Sequence, residues 1–280
     1  MYLAPKLSII TVCYNAEKEI GRTIRSALAQ TFTDLEYLFI DGGSRDGTLS
    51  VIGSLQGQLE ERGIAVSVVS EPDEGIYDAM NKGLDRATGE WVLMLNAGDA
   101  LADPFVLSDI FGEAAYEEDV LYCDAVFRDV HAGKELFKPF PALPLSEMAR
   151  GLPFCHQAAF AKGELLKRYP FDARFSICAD YDQFLRAWMD GALFLYIPRV
   201  AAIFGCGGIC LRRPLEAMGQ CAQIRKYRHF SGVEPALGRK LKASLRNRVK
   251  RWAPGLFYSH RRGWRDRLPK DASGRVRGNG

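Results

Sequence analysis

The first hundred residues alternate between short apolar runs and stretches in which apolar positions recur every three or four residues. Residues 7–12 form a strand-sized run rich in β-branched side chains that stops at the turn-prone Tyr14-Asn15-Ala16. Residues 17–29 follow, with Ile20, Ile24, Ala27 and Leu28 on one helical face. The alternation then repeats: 35–40 reads as strand, 48–59 as helix, 66–69 as strand, 76–87 as helix and 91–95 as strand. Strands separated by helix-length segments predict a parallel sheet with crossover helices. Beyond residue 100 the pattern loosens into a helix at 106–116, a strand at 120–123, a hairpin over 126–138 and a Pro-rich turn or linker at 139–144. Tyr181, Phe184, Leu185 and Trp188 then fall at i, i+3, i+4 and i+7, predicting a helix, and 193–197 reads as a further strand.

The acids matter more than the periodicity. Asp41, Glu71 with Asp73, and Asp99 each lie just past the end of a predicted strand. In an open parallel sheet those ends share one edge, which is where ligands bind. The loop Asp41-Gly-Gly-Ser-Arg-Asp46-Gly-Thr48 lacks the Gly-x-Gly-x-x-Gly spacing of dinucleotide sites and the Lys of a P-loop. By itself it reads equally as a nucleotide cradle or as a plain pair of turns.

At 280 residues the chain has room for one large α/β domain with an extension. No apolar run approaches the roughly 18–20 residues of a membrane-spanning helix, and residues 7–12 are too short for a signal peptide. Seven scattered cysteines without a Cys-x-x-Cys pair fit reduced thiols in a cytoplasm. His131, His156, His229 and His260 are too dispersed to suggest a metal cluster by spacing.

Charge divides the chain. Residues 221–280 hold 17 Lys and Arg against 3 Asp and Glu, a net +14, whereas residues 1–220 are net −11. We therefore expect a domain over 1–220 and a basic tail over 221–280. Within the tail Leu237, Leu241, Leu245 and Val249 recur every four residues among basic positions, predicting an amphipathic helix that Pro254 and Gly255 end. Such a helix suits an anionic membrane surface or a face of the acidic body. Nucleic acid is not an expected partner, because the body is acidic and carries no recognition motif.

Several ordered segments together resemble one family. They are Ser8-Ile-Ile-Thr11-Val-Cys-Tyr14-Asn15, the loop from Asp41 to Thr48, Ser70-Glu-Pro-Asp73-Glu-Gly-Ile-Tyr-Asp-Ala-Met-Asn81-Lys-Gly83, Thr88-Gly-Glu-Trp91 and Leu95-Asn-Ala-Gly-Asp99. The chain resembles family 2 glycosyltransferases over about residues 6–205, most of all the branch that builds bacterial capsules, exopolysaccharides and lipopolysaccharides. The resemblance implies an α/β GT-A fold: a Rossmann-like, mostly parallel sheet flanked by helices, here followed by a basic helical C-terminal extension. It also implies inverting transfer of a sugar from a UDP- or GDP-linked donor to a glycan or lipid-linked acceptor. The setting would be cytoplasmic, peripheral to the inner face of the cytoplasmic membrane.

By the same resemblance Thr11, Tyr14 and Asp41 line the nucleoside pocket, with Asp41 accepting from the base and Asp73 making a further donor contact. Asp99 holds Mg²⁺ or Mn²⁺, although the family often has two acids where this chain has Asn96-Ala-Gly-Asp99. Asp99 otherwise reads as a turn residue or a helix cap. Asp180 matches the general base, with Ala179 where a Glu commonly stands, and His156 lies in a segment near the acceptor. Two structural readings stand beside these: a capping box between Asp180 and Gln183, and a surface ion pair between Asp182 and Arg186. The rival enzyme class, a sugar nucleotidyltransferase, would show a Gly-rich basic loop near the N-terminus; residues 11–15 carry no such group.

Overall fold

The structure, a computed structural model, describes residues 4–131, 134–205 and 212–230. Its first part is four parallel strands with crossover helices. They are β1 (Leu7–Cys13), α1 (Ile20–Leu28), β2 (Leu35–Asp41), α2 (Thr48–Glu61), β3 (Ala65–Ser70), α3 (Ile76–Arg86) and β4 (Trp91–Met94). Then come the two-residue β5 (Ala100–Leu101), α4 (Val106–Phe111), β6 (Val120–His131) and β7 (Lys134–Phe140). Two 3₁₀ turns, Leu145–Ala149 and His156–Ala158, precede β8 (Ala159–Lys162), α5 (Gly163–Arg168), α6 (Ala179–Met189), β9 (Phe194–Gly205) and α7 (Pro214–Tyr227).

All nine strands of the described residues join one sheet in the order β3-β2-β1-β4-β8-β6-β9-β5, with β7 paired to β6. The β3–β4 half is parallel, as the alternation predicts. The other half is mixed, because β8 runs antiparallel to both β4 and β6 while β6 and β9 are parallel. The predicted sheet thus describes the β1–β4 half better than the rest.

Every residue of β1 is buried, with alternate side chains on opposite faces, as an interior strand requires. Leu7, Ile9 and Cys13 pack on one face with Ile20, Ile24, Ile52 and Leu59 of α1 and α2. Ile10 and Val12 pack on the other with Tyr77, Met80 and Leu84 of α3. Each such side chain, fully buried, is worth roughly 1.5–3 kcal/mol. Helix α3 lies so close that a Cβ at Gly83 would stand 2.5 Å from Ile10 Cγ2.

Three boundaries differ from the sequence reading. Helix α4 stops at Phe111, and Tyr116 turns back to donate its hydroxyl to the Ile110 carbonyl at 2.7 Å. Pro139 lies inside β7, opposite Val126, so the Pro-rich segment begins within a strand. Helix α7 runs through residue 220, where charge composition divides the chain, and its Ile224 and Arg225 are buried in the body. The packed part therefore extends at least to Phe230, which donates its amide to the Arg225 carbonyl. The amphipathic segment at 237–252 lies outside the described residues.

Candidate active site

The C-terminal ends of β1, β2 and β4 meet at one edge. Gly42 N donates to the Cys13 carbonyl at 2.9 Å, and Ala97 N donates to the Val12 carbonyl at 3.3 Å. Loops after β1 and β2 are stitched together: Asn15 N donates to Ser44 Oγ, Ala16 N to Thr48 Oγ1, and Arg45 N to Asn15 Oδ1, all at 2.8–2.9 Å. On this frame Tyr14 stands 62% exposed, its aromatic face open to solvent.

Asp73 approaches the same place from the segment after β3. A Cβ at Gly42 would fall 2.2 Å from Asp73 Oδ2 and 3.5 Å from Tyr14 Cδ2, so only glycine leaves the carboxylate its position. Asp73 Oδ1 accepts from Gly75 N at 2.9 Å, and Lys82 holds the segment by donating to the Pro72 carbonyl at 2.8 Å.

Asp41 and Thr11 are bonded to the strands and loops around them. Asp41 is fully buried; its Oδ2 accepts from Gly43 N, Ser44 N and Ser70 Oγ, and its Oδ1 from the Ser44 hydroxyl. Burial pushes this carboxyl up, but the Ser44 and Ser70 bonds outweigh it and hold the pKa below the usual carboxylate range. These bonds make Asp41 part of the loop wall. Thr11 is also fully buried: its hydroxyl donates to the Leu95 carbonyl at 2.6 Å and bonds Tyr37 Oη at 2.9 Å. Both partners are internal, so Thr11 ties β1 to its neighbours.

The turn after β4 carries Asp99. Helix α1 holds it, with Thr23 Oγ1 accepting from Gly98 N at 2.9 Å. Asp99 is buried, accepting from Gln157 Nε2 at 3.0 Å and Gly205 N at 3.2 Å. Burial raises its pKa to about 6, against the opposing pull of Gln157, His156, Gly205 N and Arg22. It caps no helix; its bonds cross to other parts of the sheet edge.

Asp180 arrives from the far end of the domain, on the first turn of α6. Its Oδ2 lies 3.1 Å from His156 Nδ1, and His156 Nε2 lies 3.4 Å from Asn96 Nδ2. Adjacent residues, His156 and Gln157, thus connect Asp180 to Asp99. Asp180 Oδ1 accepts from Tyr181 N at 2.8 Å. The capping box does not form, because Gln183 Nε2 donates instead to the Tyr169 carbonyl at 2.8 Å. Asp182 is not a surface partner: it is fully buried between Arg186 and Arg228.

These observations meet the comparison that decides the family. The profile described as "Glycosyl transferase family 2" matches residues 8–162, more than half of the chain and all of the β1–β4 edge. The chain is a family 2 glycosyltransferase. A PGL/p-HBAD biosynthesis glycosyltransferase of Mycobacterium bovis is 33% identical to it over 193 residues, 68% of this chain and 72% of that protein. An uncharacterized glycosyltransferase of Mycobacterium tuberculosis is 32% identical over 190 residues, 67% and 70% of the two chains. Among solved structures, the mannosyltransferase PcManGT of Pyrobaculum calidifontis, in complex with GDP-Man and Mn²⁺, shares the fold with a TM-score of 0.62 at 19% identity. The match covers 89% of this chain and 70% of that one. TarS 1-349 of S. aureus in complex with UDP does so with a TM-score of 0.57 at 18% identity, covering 94% and 75%. This glycosyltransferase accordingly has the GT-A fold.

A divalent cation fits the residues present. Asn96 Oδ1 is buried without a hydrogen-bond partner among the described residues, three positions from the Asp99 carboxylate. Among the described residues no cluster of three or more His, Cys, Asp or Glu forms a closed cage. Mg²⁺-like ions commonly take one or two protein oxygens and fill the remainder with phosphate and water, which suits this pair.

Four contributors were not candidates from the sequence. Tyr77 donates to the Ile177 carbonyl at 2.8 Å, and Asn81 makes a reciprocal pair of 2.9 Å bonds with the Phe171 backbone. Both pin the segment leading to Asp180. Gln220 and Arg228 hold α6 from the other side. The first two stood in a matched motif; nothing in local sequence singles out the last two.

Proposed function

We propose that this glycosyltransferase moves a sugar from a UDP- or GDP-linked donor to a glycan or lipid-linked acceptor, with inversion, in bacterial surface polysaccharide synthesis. The observation that carries the reading is the link Asp99–Gln157–His156–Asp180, which brings two distant acids to one edge of the sheet. The mycobacterial relative named for PGL/p-HBAD biosynthesis and the solved GDP-Man, Mn²⁺ and UDP complexes support a nucleotide-linked donor and a metal.

In this reading Tyr14 stacks on the base, Asp41 shapes the loop beneath it and Asp73 contacts the donor beside Gly42. Asp99 and Asn96 hold Mg²⁺ or Mn²⁺, which when bound offsets charge on the departing nucleoside diphosphate. The acceptor oxygen bonds to the anomeric carbon as the carbon–oxygen bond to the diphosphate breaks. Asp180 Oδ2 takes the hydroxyl proton, and His156 orients that oxygen. A single displacement inverts the anomeric centre. The net +14 of residues 221–280 supports placement at the inner face of the cytoplasmic membrane.

A thermal-shift screen of UDP-, GDP- and dTDP-sugars with Mg²⁺ or Mn²⁺ tests the donor. One nucleotide class should raise the melting temperature, by about 2.7 kcal/mol of stabilisation at a hundredfold excess over Kd. No shift with any donor, together with pyrophosphate release from a nucleoside triphosphate and a sugar phosphate, would overturn the reading in favour of a nucleotidyltransferase.

A further inference from the structure

We infer that α7 sets the position of the base: Gln220 and Arg228 are positioning residues for Asp180. The inference rests on the reading of Asp180 as general base given above.

Helix α6 begins without a side-chain cap from its own N-terminal segment, since Cys178 makes no capping bond. The two amides just before the helix are held from α7 instead. Gln220 Oε1 accepts from Ile177 N at 2.8 Å and from Cys178 N at 2.7 Å. One amide oxygen, 42 residues away in sequence, thereby holds the two residues just before the first turn. Asp180 lies two positions further on, with one oxygen committed to Tyr181 N and the other facing His156.

The same turn is held from behind. Arg228 donates through Nε to Asp182 Oδ1 at 2.7 Å and through Nη2 to Asp182 Oδ2 at 2.9 Å, a two-pronged contact with a fully buried carboxylate. Its Nη2 also reaches Asp172 Oδ2 at 2.8 Å, at the start of the segment that Asn81 and Tyr77 pin from α3. Gln220, Ile224 and Arg228 recur every four residues, so one side of α7 carries both contacts with a buried Ile224 between them.

Neither residue is bonded to the Asp99–Gln157–His156–Asp180 link. Both act on the backbone or on the neighbouring acid of the turn that carries Asp180. A displacement of the base by about 1 Å can cost roughly 10²-fold in rate, while the donor pocket at β1–β3 is built from other elements. Positioning therefore predicts a loss confined to turnover. A purely structural brace predicts that stability, donor affinity and turnover fall together.

The test uses the full chain and the nucleotide sugar selected by thermal shift, with nucleoside-diphosphate release as turnover. Gln220→Met keeps length and removes the accepting oxygen; Gln220→Glu restores an oxygen; Arg228→Lys keeps charge and loses the fork. We expect Gln220→Met and Arg228→Lys to lower kcat at least tenfold with donor KM within about twofold of wild type, and Gln220→Glu to recover to within about threefold. Amide exchange over residues 177–181 should quicken in Gln220→Met while β1–β4 keeps its protection. Unchanged kcat in both loss variants overturns the inference, as does a parallel fall in donor affinity and melting temperature. Should Gln220→Met not fold, Arg228→Lys decides alone. Asp180→Asn runs alongside: if it keeps more than half of wild-type turnover, the reading of Asp180 fails and the inference with it. An inactive Asp180→Asn beside fully active α7 variants sinks the positioning role only.

Discussion

His156 Nδ1 stands 3.1 Å from Asp180 Oδ2, and the next residue, Gln157, donates to Asp99 at 3.0 Å. A two-residue step in a 3₁₀ turn therefore spans the distance between an acid from the β4 turn and an acid from α6. Asp180 Oδ1 accepts from Tyr181 N at 2.8 Å and from Tyr77 Oη at 3.5 Å, so Oδ2 is the oxygen left for the proposed proton transfer. Asp180→Asn keeps the shape and removes basicity. Turnover should fall by roughly 10²- to 10⁴-fold with donor binding nearly intact. Calorimetric titration of the donor beside steady-state kinetics checks both halves, and retained turnover would move the base elsewhere.

Gly42 is where the proposed donor pocket is tightest. Gly42→Ala places a Cβ 2.2 Å from Asp73 Oδ2, so the carboxylate must swing away and release Gly75 N. Donor affinity should drop about tenfold, and Asp73→Ala should do the same. Because both changes remove one contact, the double variant should lose little more than either alone. Additive losses in a binding titration would show that Gly42 and Asp73 contribute separately.

How much of this was legible beforehand differs by residue. The strand–helix alternation and the acids at strand ends placed Tyr14, Asp73 and Asp99 at one edge, because a parallel sheet brings those ends together whatever the loops do. The bonds of Thr11 were not legible: which partners a strand hydroxyl takes depends on neighbours that periodicity does not reveal, here the Leu95 carbonyl and Tyr37. Asp182 looked like a surface ion pair because Arg186 stands four residues on, but Arg228 closes over it from α7. Long-range partners of that kind leave no mark in local spacing.

The internal bonds of Thr11 have their own test. Thr11→Val keeps the shape and strips the bonds to Leu95 and Tyr37, which should cost about 1–3 kcal/mol of stability. Donor affinity should not change. A variant that is stable yet binds donor poorly would return Thr11 to the pocket.

For the basic tail the prediction rests on charge. Changing Arg246, Arg248, Lys250 and Arg251 together to Gln in the full chain removes four positive charges from the amphipathic segment. At about 1 kcal/mol per basic residue near anionic lipid, co-sedimentation with vesicles rich in anionic lipid should be largely lost. Wild type should bind those vesicles and ignore neutral ones. Binding that persists in the variant, or that disregards lipid charge, removes the tail from the membrane.

Asp99 ties metal to pH. Burial raises its carboxyl from 3.8 to about 6 in the folded chain. A raised carboxyl contributes stability that is fully present below pH 3.8 and is lost as pH rises through about 6, because the folded state holds the proton longer than the unfolded one. Above pH 6 the metal-free protein carries a buried ionised group, at a cost of at most about 3 kcal/mol by the usual 1.36 kcal/mol per pKa unit. A cation bound there relieves that cost, and a proton competes with it. Mn²⁺ with saturating donor should therefore raise the melting temperature clearly more at pH 7.5 than at pH 5, and Asp99→Asn should erase the difference. An equal Mn²⁺ shift at the two pH values, or one that survives Asp99→Asn, would mean that the metal is held by donor phosphates alone and that Asp99 serves the fold.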